Sequence, residues 1–244
     1  MKQGHFTVRS NIALNASVYK MILCGDTGAI TAPGQFINIK LDGRFLRRPI
    51  SVCDKDEECV TIIYKVVGGG TEQMSRMREG EVLDILTGLG NGYDTSASGE
   101  RPLLLGGGVG VPPMYMLAKK LKAEGKDVSV VLGFNKKDEV FYEDEFRALG
   151  CSVTVTTADG SYGTKGFVTD ALPDEYSYFY TCGPEPMLKA VYRASKTEGQ
   201  FSFEERMGCG FGACMGCSCK TVTGYKRICK DGPVLRKEEI LWER

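Results

Sequence analysis

The sequence predicts α/β plus β architecture: an N-terminal antiparallel β-barrel, a parallel-sheet α/β domain and a small cysteine-rich C-terminal segment. Three observations carry this prediction. Residues 1–98 hold short segments rich in β-branched and aromatic residues, residues 99–200 alternate strand-like and helix-like segments, and half of the ten cysteines lie within 209–229. At 244 residues, the chain is long enough for two compact domains and an appendage.

The barrel prediction depends on the even spacing of short strand-like segments. Gly, Asp or Pro residues separate them, and this pattern is typical of a barrel or sandwich. A short helix is expected at 71–77. The predicted strands are 6–10, 17–24, 36–41, 60–67 and 82–86.

The α/β domain begins after an expected linker at 96–100. Alternating β and α elements predict a parallel sheet that is covered on both faces. From residue 201 to 244 the chain is loop-like and too small to bury its own core, so a metal is expected to organise it. The predicted strands are 103–105, 128–132, 152–156 and 176–181, and the predicted helices are 113–123, 143–149, 166–172 and 184–196.

Composition argues against several classes of protein. Lys+Arg and Asp+Glu both number 31, no basic stripe indicates nucleic acid, and no apolar run is long enough to span a membrane. The N-terminus does not have the pattern of a signal peptide, so a cytoplasmic location is expected. Reduced thiols or metal binding are then favoured over disulfides. The scattered cysteines expected to be small buried side chains are Cys24, Cys53, Cys59 and Cys151.

Four C-terminal cysteines have the spacing of a plant-type [2Fe–2S] site. Cys209, Cys214 and Cys217 follow the C-x4-C-x2-C rule, and Cys229 lies twelve positions further on. Glycines in the loop allow backbone N–H groups to turn towards the sulfurs. A four-thiolate zinc site is the alternative, less favoured because zinc motifs usually pair two short C-x2–4-C knuckles.

Two loops predict a nucleotide site in the α/β domain. A glycine-rich turn follows the strand 103–105 and opens a helix, where a pyrophosphate is favoured. A second loop follows the strand 176–181 and is expected to form the far wall of a nicotinamide site. Each loop alone also fits a tight structural turn. The lysines and acidic residues at 136–139 do not decide whether the bound nucleotide is NAD or NADP. The candidate residues are Gly106, Gly107, Gly108, Gly110, Cys182, Gly183 and Pro184.

Two features of the barrel suit a dinucleotide such as FAD. Arg48 offers a bidentate fork for phosphate, and Ser51 offers a hydroxyl for a ring or ribitol oxygen. A glycine turn before Thr71 is a second candidate anion cradle. A surface arginine pair beside an edge strand is the alternative interpretation of the first feature.

The order of these motifs resembles the ferredoxin–NADP reductase superfamily over essentially the whole chain. Glu204-Glu205-Arg206-Met207 before the cysteines, and the loop 89–93, resemble the electron-transfer subunits of NAD-dependent dihydroorotate dehydrogenases. The resemblance implies that Cys219 is a buried thiol outside the ligand set. Because Ile50 replaces the usual stacking tyrosine, Tyr64 becomes the candidate for flavin stacking. The implied FAD contacts are Arg48, Pro49, Ile50, Ser51, Ile63, Tyr64, Lys65, Gly70 and Thr71.

The resemblance also implies a function. NAD accepts hydride, an iron–sulfur cluster passes single electrons, and a flavin does both, so FAD is expected between them. The implied partner is an FMN-containing catalytic subunit that oxidises dihydroorotate in pyrimidine biosynthesis, in a heterotetramer of two plus two. No side chain is expected to act as acid or base, and His5 is expected at the surface. The alternatives are a related FAD/[2Fe–2S] NAD(P)H reductase subunit serving ferredoxin, sulfide or hydrogenase partners, and a zinc-stapled nucleotide-binding regulator.

Overall fold

The computed structural model describes residues 1–242, and the N-terminal strands among them close into an antiparallel barrel. The order around the barrel is β1-β2-β5-β4-β3-β6. Phe6, Ile37 and Ile62 are among the apolar side chains that fill its interior, as the alternation of side chains along a strand requires. His5 is exposed, as predicted. The barrel strands are β1 (Lys2–Ala13), β2 (Val18–Cys24), β3 (Phe36–Ile39), β4 (Arg48–Lys55), β5 (Cys59–Lys65) and β6 (Val82–Leu89).

Strand β4 is the barrel strand that the sequence analysis did not predict. It begins with Arg48 and Pro49, and a proline in a short run argues against a strand. In the structure Pro49 lies opposite Asn38 on β3, and β4 pairs with β5 only from Val52 onwards. One side of β4 is thus unpaired at Pro49, and a missing N–H donor is tolerated at such an edge. The predicted short helix is confirmed as α1 (Gly69–Ser75).

The second sheet has the order β10-β9-β8-β7-β11-β12-β15 within residues 1–242, where β12 is Gly199–Ser202 and β15 is Val234–Arg236. Its strands are parallel except for the antiparallel pair of β12 and β15, so the predicted α/β alternation is confirmed. The helix predicted at 166–172 is only a 3-10 turn, Val168–Ala171. The elements up to α4 are β7 (Pro102–Gly107), α2 (Val111–Ala123), β8 (Ser129–Phe134), α3 (Glu143–Ala148), β9 (Ser152–Thr157), β10 (Thr164–Lys165), β11 (Tyr178–Cys182) and α4 (Glu185–Ala194).

The C-terminal segment is not loop-like throughout, contrary to the prediction. β12 (Gly199–Ser202) and β15 (Val234–Arg236) join the second sheet, and β13 (Ser218–Thr221) and β14 (Gly224–Arg227) form a hairpin. Strands of three or four residues carry too little periodicity to be recognised. The division of the chain into domains 1–98, 99–200 and 201–244 stays a prediction. Strand β12 contains residues on both sides of the boundary after residue 200.

A disulfide joins Cys24 and Cys59, so the prediction that both are free thiols is wrong. The two residues face each other across β2 and β5, with Cα atoms 4.0 Å apart. Cysteine spacing cannot reveal a cross-strand pair that is 35 positions apart in sequence. Cys53 and Cys151 are buried free thiols, as predicted.

The barrel and the α/β domain pack together along β4 and α2. Ile63 of the barrel shares an apolar core with Met114 of α2. Lys119 Nζ on α2 donates to the Asp54 carboxylate oxygens on β4 at 2.7 and 2.9 Å. The strand that begins at Arg48 is therefore fixed relative to the helix after the glycine-rich turn. None of the helices in residues 1–242 is long and apolar enough to cross a membrane.

Candidate cofactor sites

A glycine turn and two arginines form a polar surface at the start of α1. The Arg48 guanidinium lies so close to Gly70 that a Cβ added there would be 2.2 Å from Nε. Arg44 Nη2 donates to the Gly69 carbonyl oxygen at 3.0 Å. Guanidinium groups beside a glycine turn suit a diphosphate. The sequence analysis singled out Arg48 and Gly70 but missed Arg44, because a single arginine in a loop carries no pattern.

Thr71 holds this turn in shape from inside. Its hydroxyl accepts hydrogen bonds from the N–H groups of Val67 at 3.0 Å and Gly68 at 3.3 Å, and it donates to the Gly68 carbonyl oxygen at 3.1 Å. The side chain is buried. Because its hydroxyl is engaged with the backbone, Thr71 acts on any bound anion by fixing the turn.

Tyr64 does not present its ring to the space between the domains. The ring lies in the barrel core, 5.9 Å from the Tyr19 ring, and its hydroxyl donates to Asn11 Oδ1 at 2.9 Å. The prediction that Tyr64 stacks on the flavin is therefore wrong for its side chain, which is 2% exposed. Ile63 joins the core between the barrel and the α/β domain. Of the other candidate contacts, Lys65 is exposed, and Arg48, Pro49, Ile50 and Ser51 are half-buried.

The two predicted nucleotide loops lie side by side at the carboxyl edge of the parallel sheet. β7 and β11 are neighbours, and Cys182 is paired with Gly106. A Cβ on Gly110 would be 2.2 Å from the Cys182 carbonyl oxygen, so only glycine allows this approach. Ligands of α/β sheets bind at this edge. The candidate residues that meet here are Gly106, Gly107, Gly108, Gly110, Cys182, Gly183 and Pro184.

Cys182 is a neutral packing group at the junction of these loops. Desolvation raises the pKa of its thiol to about 12, even though Ser202 donates a hydrogen bond to it. Tyr93, at the end of the barrel, donates from its hydroxyl to the Thr181 carbonyl oxygen at 3.0 Å. The strand end is thereby tied to the barrel, and no proton chemistry is expected at Cys182 near neutral pH.

The four predicted cluster cysteines lie in one segment as two pairs. Cys209 and Cys214 are on the outer loop, whereas Cys217 and Cys229 are buried. The Cys214 N–H donates to Cys209 Sγ at 3.5 Å, and the Cys229 N–H donates to Cys217 Sγ at 3.4 Å. In the part of the chain that the structure describes, no three potential ligands are yet close enough to hold a metal ion. The proposed ligand set therefore spans the outer loop and the buried base of this segment.

The backbone around Cys209 favours the thiolate form of this cysteine. Burial by itself raises the pKa of the Cys209 thiol. Hydrogen bonds from the backbone N–H groups of Phe211, Cys214 and Ala213 outweigh this effect and lower the pKa to about 6. Burial and a hydrogen bond with Cys217 raise the pKa of Cys229 to about 12. N–H···S donors tune iron–sulfur clusters, and the donor set is all sulfur, so the residues fit an iron–sulfur cluster.

Two polar residues anchor this segment, and the sequence analysis assigned a role to neither, although Asn91 lies in the loop 89–93 that it singled out. Arg227 Nη1 donates to the Gly212 carbonyl oxygen at 2.9 Å, while its Nε binds Asp231 at 2.9 Å. Asn91, at the end of the barrel, donates to the Val234 carbonyl oxygen at 2.8 Å and accepts from the Val234 N–H at 3.1 Å. The contact of Arg227 with Gly212 and that of Asn91 with Val234 join residues that are 15 and 143 positions apart, so no local pattern reveals them.

Cys219 lies on β13 and is half-buried rather than fully buried. It lines a cavity of about 410 Å³ together with Pro184 and Trp242. Its place outside the cluster ligand set stays a prediction.

Arg47, the neighbour of Arg48, has a structural role. Its Nη2 contacts both carboxylate oxygens of Asp84 at 3.0 Å. Its Nη1 donates to the carbonyl oxygens of Asp84 at 2.9 Å and Asn38 at 3.3 Å. Of the arginine pair in the motif, only Arg48 stays a candidate phosphate ligand.

We expect Asp84→Asn to lower the free energy of unfolding at pH 7 by about 1–2 kcal/mol. Burial raises the pKa of Asp84, but hydrogen bonds from Gln3 and Arg47 outweigh it and hold this pKa below its usual value. The resulting stability is present above the unfolded pKa of about 3.9 and is lost as pH falls through the lower folded value. In urea unfolding, the difference in free energy of unfolding between the wild type and Asp84→Asn should become smaller at acid pH. A difference that does not change with pH would contradict the stabilising role of the ionised Asp84.

The fold and the site together define a class of protein. A barrel, an α/β nucleotide domain and an all-cysteine segment make a reductase of the ferredoxin–NADP reductase fold with an iron–sulfur domain. Residues 204–241 match the family model described as the iron–sulfur cluster binding domain of dihydroorotate dehydrogenase B. Residues 104–193 match the oxidoreductase NAD-binding domain.

Relatives match the chain over nearly its whole length. The dihydroorotate dehydrogenase B (NAD(+)) electron transfer subunit of Fusobacterium nucleatum is 45% identical, covering 98% of this chain and 99% of that protein. The subunit of the same name from Geobacillus sp. strain WCH70 is 44% identical, covering 99% of each. The chain belongs to this family of electron transfer subunits, which confirms the resemblance found from its motifs. It is an oxidoreductase subunit whose cofactors are FAD and an iron–sulfur cluster, with NAD as co-substrate.

Solved structures agree with this fold. An NADH-dependent reduced ferredoxin–NADP oxidoreductase, studied for flavin-based electron bifurcation, has a TM-score of 0.88 at 30% identity, covering 97% of this chain and 90% of that one. The FAD/NAD-binding domain of a nitric oxide dioxygenase from Vibrio cholerae has a TM-score of 0.68 at 23% identity, covering 82% of this chain and 99% of that one. The second likeness concerns the fold alone.

Proposed function

We propose that the chain carries electrons from a dihydroorotate-oxidising catalytic subunit to NAD+ in pyrimidine biosynthesis. The observation that carries this proposal is the packing of an arginine–glycine turn, two nucleotide loops and a four-thiol segment around one barrel. When bound, the flavin exchanges single electrons with the cluster and an electron pair with nicotinamide. The work of the chain's own residues is to bind and orient these groups.

The proposal assigns each candidate residue to a group. Arg48 and the turn at Gly70 would hold the FAD diphosphate, supported by the fit of the guanidinium against the glycine. The rest of the FAD set would contact the flavin or its chain through side chains or backbone. The loops of β7 and β11 would bind NAD. The FAD set is Arg48, Pro49, Ile50, Ser51, Ile63, Tyr64, Lys65, Gly70 and Thr71, the NAD set is Gly106, Gly107, Gly108, Gly110, Cys182, Gly183 and Pro184, and the [2Fe–2S] ligands are Cys209, Cys214, Cys217 and Cys229.

We assign NAD rather than NADP as the preferred nucleotide. Asn135 Nδ2 donates to Glu139 Oε2 at 2.9 Å, which holds a carboxylate just after β8. An acidic group at this place in an α/β nucleotide domain binds the ribose hydroxyl and repels a 2′-phosphate. Lys136 Nζ is 3.9 Å from an Asp138 carboxylate oxygen, so its charge is partly offset.

The proposed partner is an FMN-containing catalytic subunit in an assembly of two plus two. Cys214 is exposed, and two apolar side chains on the same loop are exposed as well, Phe211 at 42% and Met215 at 53%. We take these apolar groups beside the proposed cluster as part of the surface that the catalytic subunit covers. A cytoplasmic location also belongs to the proposal.

Met215→Glu is expected to weaken the complex with the catalytic subunit by about tenfold or more, since it places a charge in an apolar contact. Iron and flavin content should be unchanged. Ile12→Glu is a matched control, because Ile12 is also 53% exposed but lies on β1 of the barrel. Binding measured by surface plasmon resonance checks this, and equal losses in the two variants would argue against the proposed surface.

The direct test of the proposal is co-purification with the catalytic subunit, followed by an assay of dihydroorotate oxidation with NAD+. We expect a stable complex whose NAD+ reduction requires both subunits. The second candidate, a related FAD/[2Fe–2S] reductase subunit, is favoured by the 30% identity to the ferredoxin–NADP oxidoreductase. A complex that reduces ferredoxin with NAD(P)H, and shows no turnover with dihydroorotate, would support that candidate instead.

A further inference from the structure

Asn38 is a buried amide in an otherwise apolar strand. Its neighbours on β3, Phe36, Ile37 and Ile39, are buried hydrocarbons, and Asn38 itself is 1% exposed. Among the atoms of residues 1–242, its Oδ1 has no hydrogen-bond partner. An unsatisfied buried acceptor costs about 1–3 kcal/mol. An amide at this position therefore requires an explanation other than stability.

The side chain of Asn38 reaches the loop of the cluster cysteines. Its Nδ2 donates to the Cys209 carbonyl oxygen at 3.3 Å. Gly210 comes so close that a Cβ added there would lie 2.2 Å from Nδ2. Gly210 also has a φ of +77°, so both its space and its backbone conformation require glycine. The loop is thus shaped to meet this amide.

The backbone of Asn38 is tied to the strand of the predicted flavin site. Asn38 pairs with Pro49 on β4, and its carbonyl oxygen accepts a hydrogen bond from Arg47 Nη1 at 3.3 Å. Arg47 is held in turn by Asp84. A single residue therefore links the strand proposed to contact FAD with the loop proposed to hold the cluster.

We propose that Asn38 is a positioning residue for electron transfer between the two cofactors. It fixes the cluster loop against the flavin strand, because its backbone lies opposite Pro49 on β4 while its side-chain amide holds the Cys209 carbonyl oxygen. The step concerned is the transfer of one electron, which in the NADH assay below would oxidise the reduced flavin and reduce the cluster. No bond is made or broken, and no proton moves at Asn38. This inference rests on the proposed function, since it takes Cys209 as a cluster ligand.

Asn38→Leu tests this role, because leucine keeps the volume but cannot hydrogen-bond to Cys209. We expect hydrogen exchange at the amides of 208–214 to rise about tenfold, while thermal stability changes little because the unpaired acceptor is also removed. After anaerobic mixing with NADH, flavin bleaching should keep its rate. Appearance of the reduced-cluster EPR signal should slow roughly ten- to a hundredfold. Asn38→Val, which also lacks the amide and suits a buried strand, should behave alike and serves if the leucine variant does not fold.

Gln200→Leu is the matched control. Gln200 is another buried amide, 2% exposed, and its Nε2 donates to the Asp94 carbonyl oxygen at 2.8 Å. We expect it to lose stability and to keep both loop exchange and cluster reduction at wild-type rates. If Asn38→Leu behaves like this control, Asn38 is only structural and the inference is overturned. A wild-type chain that contains neither iron nor flavin would refute the proposed function. Unchanged hydrogen exchange at the amides of 208–214 in Asn38→Leu would refute the inference that Asn38 fixes the cluster loop, whether or not the proposed function is correct.

Discussion

Cys229→Ser is expected to abolish the visible absorption of the cluster and all electron transfer beyond the flavin. The Cys229 thiol is buried beside Cys217, and its own N–H donates to Cys217 Sγ at 3.4 Å. A serine hydroxyl there is a much harder ligand than a thiolate and does not suit iron–sulfur chemistry. Iron content and the absorption spectrum of anaerobically purified protein measure this. Flavin content should stay close to that of the wild type.

Cys219→Ser is the matched control for this prediction. Cys219 is close in sequence but half-buried, and it lines the cavity beside Pro184 and Trp242. We expect this variant to keep its iron and its colour. The reverse outcome, with the cluster lost from Cys219→Ser and kept by Cys229→Ser, would overturn the assignment of the fourth ligand.

Gly110→Ala is expected to have the largest effect in the nucleotide domain. The added Cβ would be 2.2 Å from the oxygen and 2.4 Å from the carbon of the Cys182 carbonyl group. These are backbone atoms, so the strain cannot be relieved by rotating a side chain. We expect a loss of about 2–3 kcal/mol in the free energy of unfolding. Reduction of the flavin by NADH should be largely lost, because the two loops no longer meet.

Gly125→Ala provides the comparison for Gly110→Ala. Gly125 has a φ of +80° beyond the end of α2, and a Cβ there would meet nothing within 4 Å. Only the backbone strain remains, about 1–2 kcal/mol, and NADH should reduce the flavin at the wild-type rate. Thermal unfolding and anaerobic stopped-flow absorption measure both effects. If both variants lose NADH-dependent flavin reduction to a similar extent, the close approach of Gly110 to Cys182 is not the cause of the loss.

The parts of the site that the sequence predicted are those that local chemistry dictates. The spacing from Cys209 to Cys217 sets a tight loop by itself. The glycine-rich turn and the Cys182 loop each follow a strand, and α/β topology brings such strand ends to one edge. Gly106 and Cys182 are indeed paired across neighbouring strands.

The parts that the sequence did not predict depend on contacts between distant segments. The Cys24–Cys59 bond, the pairing of β12 with β15, and the contact of Asn38 with Cys209 each join residues far apart in the chain. Tyr64 shows the same limit, because strand alternation alone does not say which face of β5 is turned into the barrel. The structure turns its ring inwards.

The central claim is that this chain holds a flavin and an iron–sulfur cluster that exchange electrons with NAD. The most direct measurement is an anaerobic titration of the purified chain with NADH, followed by absorption and EPR spectroscopy. We predict bleaching of the flavin band together with a reduced-cluster EPR signal that is absent from Cys229→Ser. A colourless, zinc-containing protein, or one whose pigments do not respond to NADH, would contradict the claim.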